Sequence, residues 1–166
     1  MARQLWLLRH GDAEAHGARA DAKRRLTERG EHQAEAAGRA FAALGMSFSG
    51  LLTSPRVRAL DTARLAGRHL ATEPAVHESL SAGFSAEEAR ELVSGLDDGE
   101  ALMLVGHEPD LSGVVHDLTG ARIDLKKGGV AVVRFDGSRP VLVMLLRPRE
   151  LAALAGQRSE EAGPAS

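Results

Sequence analysis

Two histidines in this 166-residue chain sit where chemistry is expected. His10 lies in Arg9-His10-Gly11, directly after the apolar run Leu5-Trp6-Leu7-Leu8, and His107 lies in Gly106-His107-Glu108, directly after the apolar run Ala101 to Val105. Each run has the length and character of a fully buried strand. A third polar segment, Ser54-Pro55-Arg56-Val57-Arg58, follows the short strand signal Leu51-Leu52. In open α/β sheets ligands bind beyond the carboxyl ends of strands, so the three segments are expected at one edge of one sheet. Imidazoles and guanidiniums gathered at helix starts make an anion site, and phosphate is its natural occupant because an arginine fork holds two phosphoryl oxygens at once. The same charge opposes a metal site: two histidines beside Arg9 and Arg58 repel a divalent cation, and no segment supplies paired carboxylates. No metal and no cofactor is expected.

The elements that must hold these residues alternate in type. Thr27 caps a helix whose Ala34, Ala37, Gly38, Phe41 and Leu44 recur at helical spacing, with Gly45 as its stop. Ser54-Pro55 reads as a helix start, and Val57, Leu60, Ala63, Gly67 and Leu70 as one face of that helix. Ser85-Ala86-Glu87-Glu88 reads as a capping box, and Pro109-Asp110 opens a further helix. Val130 to Phe135 and Val141 to Leu146 flank a Gly- and Pro-containing turn and read as a hairpin, after which Pro148 opens a last short helix. Asp12 to Arg25 has no period and reads as a loop. The pattern predicts a three-layer α/β/α sandwich with a mostly parallel, mixed sheet, formed by one domain over residues 1–156, and a polar frayed tail over Gln157 to Ser166.

Composition excludes several classes. Hydrophobic residues make up 43% and charged residues 27%, as in a folded chain, and the formal net charge of −2 gives no ground for nucleic-acid binding. The absence of cysteine removes disulfides, zinc-thiolate sites and a cysteine nucleophile. No apolar run nears the roughly 20 residues that span a bilayer, so no membrane partner is expected and the cytoplasm is the default location.

Read together, the segments resemble the histidine phosphatase (phosphoglycerate mutase-like) superfamily, with the nearest likeness to small SixA-type phosphohistidine phosphatases. Leu8-Arg9-His10-Gly11-Asp12-Ala13 matches the family signature. Ser54 to Ala63 is similar to its second motif, and Val105-Gly106-His107-Glu108-Pro109 to its third. Arg24-Arg25-Leu26-Thr27 looks like the stretch in which small members place a further arginine, although Lys23 to Arg25 also reads as an exposed basic run.

The resemblance implies a phosphoglycerate mutase-like fold and catalysis by His10, Arg9, Arg58 and His107. His10 is the nucleophile that becomes a phosphohistidine; Arg9, Arg58, His107 and Arg24 bind the phosphoryl group of the substrate; water then hydrolyses the intermediate. The implied substrate is a phosphorylated protein, with small phosphorylated metabolites and a non-catalytic phosphate-binding module as alternatives. Relatives with mutase or sugar-bisphosphatase activity carry insertions over the site, for which the stretch between Thr62 and Val105 has little room. The family's leaving-group acid has no matching position: Glu108, Asp12, Glu78, Glu87, Glu88 and Glu91 are the carboxylates within reach of the motifs. Arg56 reads equally as a site residue or a solvated one. Lys126-Lys127-Gly128-Gly129 reads as a solvated turn, His16, His32, His69, His77 and His116 as surface or helix residues, and Trp6 as core.

Overall fold

The computed structural model describes residues 1–161, with side chains through residue 156. Among these residues six strands form one sheet in the order β3-β2-β4-β1-β5-β6. They are β1 (Arg3–Arg9), β2 (Gly50–Thr53), β3 (Ala75–Val76), β4 (Ala101–Gly106), β5 (Val130–Phe135) and β6 (Val141–Leu146). β1, β4, β2 and β3 run parallel, while β5 pairs antiparallel with both β1 and β6, so the sheet is mixed as the hairpin implies. Among the described residues five helices cover it: α1 (Glu28–Ala43), α2 (Val57–Arg68), α3 (Ala86–Ser94), α4 (Asp110–Thr119) and α5 (Pro148–Glu161). This is the α/β/α sandwich expected from the alternation of elements.

The central strands are apolar throughout because both of their faces are buried. Leu5 and Leu7 of β1 and Leu102 and Leu104 of β4 point to one core, which Leu111, Val115 and Leu118 of α4 and Val93 of α3 complete. Trp6, Leu8, Met103 and Val105 point to the other core, against Phe41 of α1, Ala63 of α2 and Leu151 of α5. Trp6 meets Phe41 and Phe48 edge-on, at centroid distances of 5.1 Å and 5.3 Å. Among the described residues no helix is long and apolar enough to cross a membrane.

Strand register positions the site. Arg9 pairs with Gly106, and Thr53 pairs with Val105, so β1, β4 and β2 end side by side. The ladder continues one step beyond: His10 N donates to Gly106 O at 3.2 Å and Ser54 N to Val105 O at 3.0 Å. Three segments far apart in sequence therefore leave the sheet at one edge.

Several local expectations change. The loop from Asp12 to Arg25 contains a 3-10 turn at Asp21–Lys23 and an isolated bridge between Ala13 and Leu26. α2 starts at Val57 rather than at Pro55, because the Ser54 hydroxyl accepts from Arg56 N and Arg56, not Ser54, takes the extended capping conformation. The buried face of α2 is Arg58, Ala59, Thr62, Ala63, Ala66 and Gly67; Val57, Leu60 and Leu70 are only partly buried. Ser85 caps α3 by accepting from Glu88 N, but the Glu88 carboxylate takes the Ser79 hydroxyl at 2.6 Å instead of closing the box. The last helix reaches Glu161, past Gln157 where the sequence places the start of the tail; residues 162–166 lie outside the described residues.

Candidate active site

The turn after β1 is held by backbone and small residues. Gly11 N donates to the buried Thr62 hydroxyl at 3.1 Å, and that hydroxyl donates to Arg58 O at 2.7 Å, which ties the first motif to the second. A Cβ on Gly11 would stand 2.5 Å from Gly30 O, and one on Gly30 would stand 2.0 Å from Asp12 O. Glycine at both places lets the start of α1 press against the His10 turn.

His10 is 6% exposed and its ring centroid lies 5.1 Å from that of His107, itself 6% exposed. Burial lowers the His10 pKa from 6.5 to about 4; a hydrogen bond to Gly11 O opposes this, and the charges of Arg58, Arg9 and Lys127 add to the fall. Desolvation is thus a larger cause than the arginine charges. Neutral His10 has one N–H. Its Nδ1 stands 2.7 Å from the Gly11 carbonyl oxygen, which can only accept, so the proton sits on Nδ1 and the Nε2 lone pair is free. His107 is lowered to about 3, first by burial, then by His10, Arg58 and Arg56, with Asp21 opposing. Its Nε2 meets the Ser54 hydroxyl at 2.7 Å.

Arg9 and Arg58 act on the His10 ring through their charge, and Arg24 is joined to Arg58 through Asp21. Arg9 donates from Nη1 to Leu125 O at 2.9 Å. Arg24 is 7% exposed while its neighbours Lys23 and Arg25 are exposed, so the basic run divides by environment. Arg58 is 4% exposed. Among the described residues, five buried side-chain nitrogens have no hydrogen-bond partner, and three of them are Arg9 Nε, Arg58 Nε and His107 Nδ1. A buried donor left unpaired is costly, so three at one sheet edge mark a place for an acceptor.

The sequence offers no signal for the residue that organises this edge. Asp21, in the 3-10 turn, contacts three arginines: Arg24 directly after the turn, Arg56 at the cap of α2 and Arg58 in its first turn. Its Oδ1 lies 3.0 Å from Arg24 Nη2, and its Oδ2 lies 2.9 Å from Arg56 Nη1 and 3.3 Å from Arg58 Nη2. Its carbonyl oxygen accepts from Arg58 Nη1 at 2.8 Å. Burial pushes the Asp21 carboxyl up, but hydrogen bonds and charges from Arg24 and Arg58 outweigh it and hold the group below its ordinary value. Arg56, ambiguous in sequence, is thus a member of the cluster, braced also by the Ser81 hydroxyl at 3.1 Å. The Asp21→Asn change keeps the shape and removes the counter-charge. Orthophosphate should then inhibit about tenfold more tightly, while kcat falls because Arg58 loses its anchor; an unchanged inhibition constant would remove Asp21 from the site.

Of the candidate acids, Glu78, Glu87 and Glu91 are exposed, and Glu88, Glu108 and Asp12 are engaged by neighbouring groups. Glu108 accepts from the backbone N of Ser112 at 2.8 Å and from its hydroxyl. Asp12 takes the Thr27 hydroxyl at 2.8 Å and lies 3.7 Å from Lys127 Nζ. Among the five other histidines, His69 pairs with Glu35, His77 packs edge-on against Phe84 with its Nε2 3.9 Å from Glu88, and His16, His32 and His116 are exposed.

Known proteins share this arrangement of elements. The sequence profile of the histidine phosphatase superfamily (branch 1) matches residues 5–82, which takes in the first two motifs. An uncharacterized protein of Picosynechococcus is 34% identical over 147 residues, covering 82% of this chain and 87% of that one. The protein histidine phosphatase SixA, solved with tungstate, superposes with a TM-score of 0.79 at 22% identity, over 89% of this chain and 99% of that one. Phosphoserine phosphatase from Entamoeba histolytica, solved with 3-phosphoglyceric acid, gives 0.69 at 18% identity, over 90% and 99%. With its three motifs brought to one edge of a sheet of this topology, the chain belongs to the histidine phosphatase superfamily and is a phosphatase.

Proposed function

We propose that this phosphatase works without a metal, through a phosphohistidine on His10, and that its substrate is phosphohistidine in a protein. The observation that carries the first part is the set of unpaired buried donors, Arg9 Nε, Arg58 Nε and His107 Nδ1, around a histidine whose Nε2 lone pair is free. On this reading the phosphoryl oxygens are the acceptors that these donors lack. When the Ser54 hydroxyl, which already accepts from Arg56 N, donates to His107 Nε2, the neutral ring carries its proton on Nδ1 and presents it to a phosphoryl oxygen. His10 Nε2 attacks phosphorus, the new N–P bond forms as the bond to the leaving group breaks, and the arginines neutralise the oxygens in the transition state. Water then attacks the phosphohistidine, releasing orthophosphate and neutral His10. SixA was solved with tungstate, a tetrahedral oxyanion like phosphate, in this fold.

The choice of substrate rests on the leaving group. An alkoxide needs a proton donor, and the carboxylates nearest the motifs are engaged: Glu108 by Ser112, Glu88 by Ser79, Asp12 by Thr27, and Asp21 by arginines, of which Arg24 and Arg58 hold it below its ordinary value; Glu78, Glu87 and Glu91 are exposed to solvent. A phosphohistidine protonated on its distal ring nitrogen departs as neutral imidazole and needs no acid. An open rim fits a bulky donor as well: between α2 and β4 the chain forms only β3, a 3-10 turn and α3.

The test is turnover in EDTA of a phosphohistidine-bearing protein, an aryl phosphate and a set of sugar phosphates. The phosphohistidine protein should exceed the sugar phosphates in kcat/KM by about 10²-fold or more, the contribution of the acid that the latter lack. Equal or better turnover of sugar phosphates would overturn the substrate assignment, and loss of all activity in EDTA would overturn the metal-free mechanism.

A further inference from the structure

Beside the catalytic edge lies a cleft of about 630 Å³ whose lining collects cations from four parts of the chain. They are Arg9 at the end of β1, Arg29 in the first turn of α1, Lys126 and Lys127 before β5, and Arg147 and Arg149 at the start of α5. Asp12 is the only carboxylate in the lining among the described residues. The cleft adjoins the nucleophile: Gly128 N donates to His10 O at 2.9 Å, and the Lys127 charge is one of those acting on the His10 ring. The whole chain has 21 basic and 23 acidic residues, so this is a local concentration of positive charge.

Neighbouring carboxylates do not cancel it. Asp12 stands 3.7 Å from Lys127, Asp124 stands 2.7 Å from Lys126, and Glu150 serves both Arg147 at 2.9 Å and Arg149 at 3.6 Å. Three carboxylates face six cations, and Arg29 forms no ion pair with any described residue. The pairs are exposed and weak, so an incoming carboxylate can exchange into them.

A second feature is independent of this count. Arg29 and Arg149 are each the second residue of a helix, where the helix dipole favours acidic groups and disfavours cations. Glu28, Glu31 and Glu150 obey that preference in the same turns, and the two arginines that depart from it line the cleft; Arg58, at the same place in α2, departs from it at the neighbouring phosphoryl site. A local rule broken twice at the rim of an active site points to a ligand.

We infer that the cleft is a docking groove for an acidic polypeptide segment flanking the phosphorylated residue. This rests on the protein-substrate assignment above. The cations suit a peptide better than a second phosphate: the side chains of Lys126, Arg147 and Arg149 are 56%, 54% and 76% exposed, long arms spread over several elements. A tightly held phosphate calls instead for buried forks like that of Arg58.

The experiment uses two histidine peptides of equal length, one flanked by glutamates and one by lysines, each unphosphorylated and chemically phosphorylated. The variant is Arg29→Glu with Arg149→Glu, changes that place carboxylates where both helix dipoles welcome them, with folding checked by a thermal melt. The unphosphorylated Glu-flanked peptide should bind wild type at low salt, weaken as salt rises, and bind the variant about tenfold more weakly. Hydrolysis of an aryl phosphate should stay within about twofold, while the Glu-flanked phosphopeptide loses about tenfold in kcat/KM, chiefly through KM. Equal binding of both peptides to wild type, or unchanged binding of the Glu-flanked peptide to the folded variant, would overturn the groove even if phosphohistidine is turned over. Charge-selective binding with no turnover of either phosphopeptide would support the groove and overturn the substrate assignment.

Discussion

Replacing His10 with alanine should lower kcat by about 10⁴-fold or more and abolish the phosphoenzyme, since removing a nucleophile leaves only the contributions of binding and electrostatics. Mixing wild type with a labile phosphoramidate donor in EDTA and quenching should trap acid-labile, base-stable label on His10; His10→Ala should give none. Full activity in that variant would end the assignment. The pH profile tests the cause of His10 reactivity. The attacking form is neutral, and the ring is lowered from 6.5 to about 4, first by burial. The acid limb of kcat/KM, corrected for ionisation of the substrate, should therefore lie near pH 4 instead of 6.5. The same shift acts on folding: below pH 6.5 the unfolded chain binds a proton that the folded one refuses. Stability should fall as pH drops from 6.5 to about 4, by about 1.4 kcal/mol per unit for this group. His10→Ala should lack that component of the loss. An acid limb at 6.5 would mean that His10 stands in water, without the desolvation described above.

The two histidine motifs were legible because each directly follows a run whose continuous apolar character only a doubly buried strand explains, whereas the second motif follows only the short signal Leu51-Leu52, in a strand that buries alternate residues. Once the strands are parallel neighbours, register does the rest, and Arg9 opposite Gly106 carries His10 to His107. The hairpin was legible to the residue, since its turn chemistry and apolar runs have matching bounds. Asp21 was not. A single aspartate in an aperiodic loop has no local signature, and two of its three arginine partners lie 35 and 37 positions away, joined to it only by the fold. Ser54 failed for a different reason. A serine before proline is both a cap signal and a site residue, and sequence cannot separate the two; here its hydroxyl serves Arg56 N and His107 together. The face of α2 was misjudged because periodicity follows apolar residues, whereas this helix buries Arg58 and Thr62 to build the site. The leaving-group acid stayed unmatched in sequence, and the structure accounts for Glu108, Glu88 and Asp12 in other hydrogen bonds.

Arg58 should be the most sensitive position after His10. The residue is 4% exposed, two of its nitrogens are oriented by Asp21, and its Nε has no partner among the described residues. Arg58→Ala should lower kcat/KM by about 10²–10³-fold, the usual cost of deleting one donor aimed at transition-state charge. Arg58→Lys returns the charge without the planar fork, so it should recover only about tenfold of that loss. The fold should survive both changes, because Arg24 and Arg56 remain to pair Asp21. A second readout separates an electrostatic role from a structural one. The Arg58 charge is among the causes that lower His10, so its removal should raise the His10 pKa, and the acid limb should move up in Arg58→Ala but stay in place in Arg58→Lys. A displaced limb in both variants would indicate that the site had opened to water. No displacement in either, with kcat/KM intact, would show that Arg58 does not face the phosphoryl group, and the donors left unpaired at this edge would then need another partner.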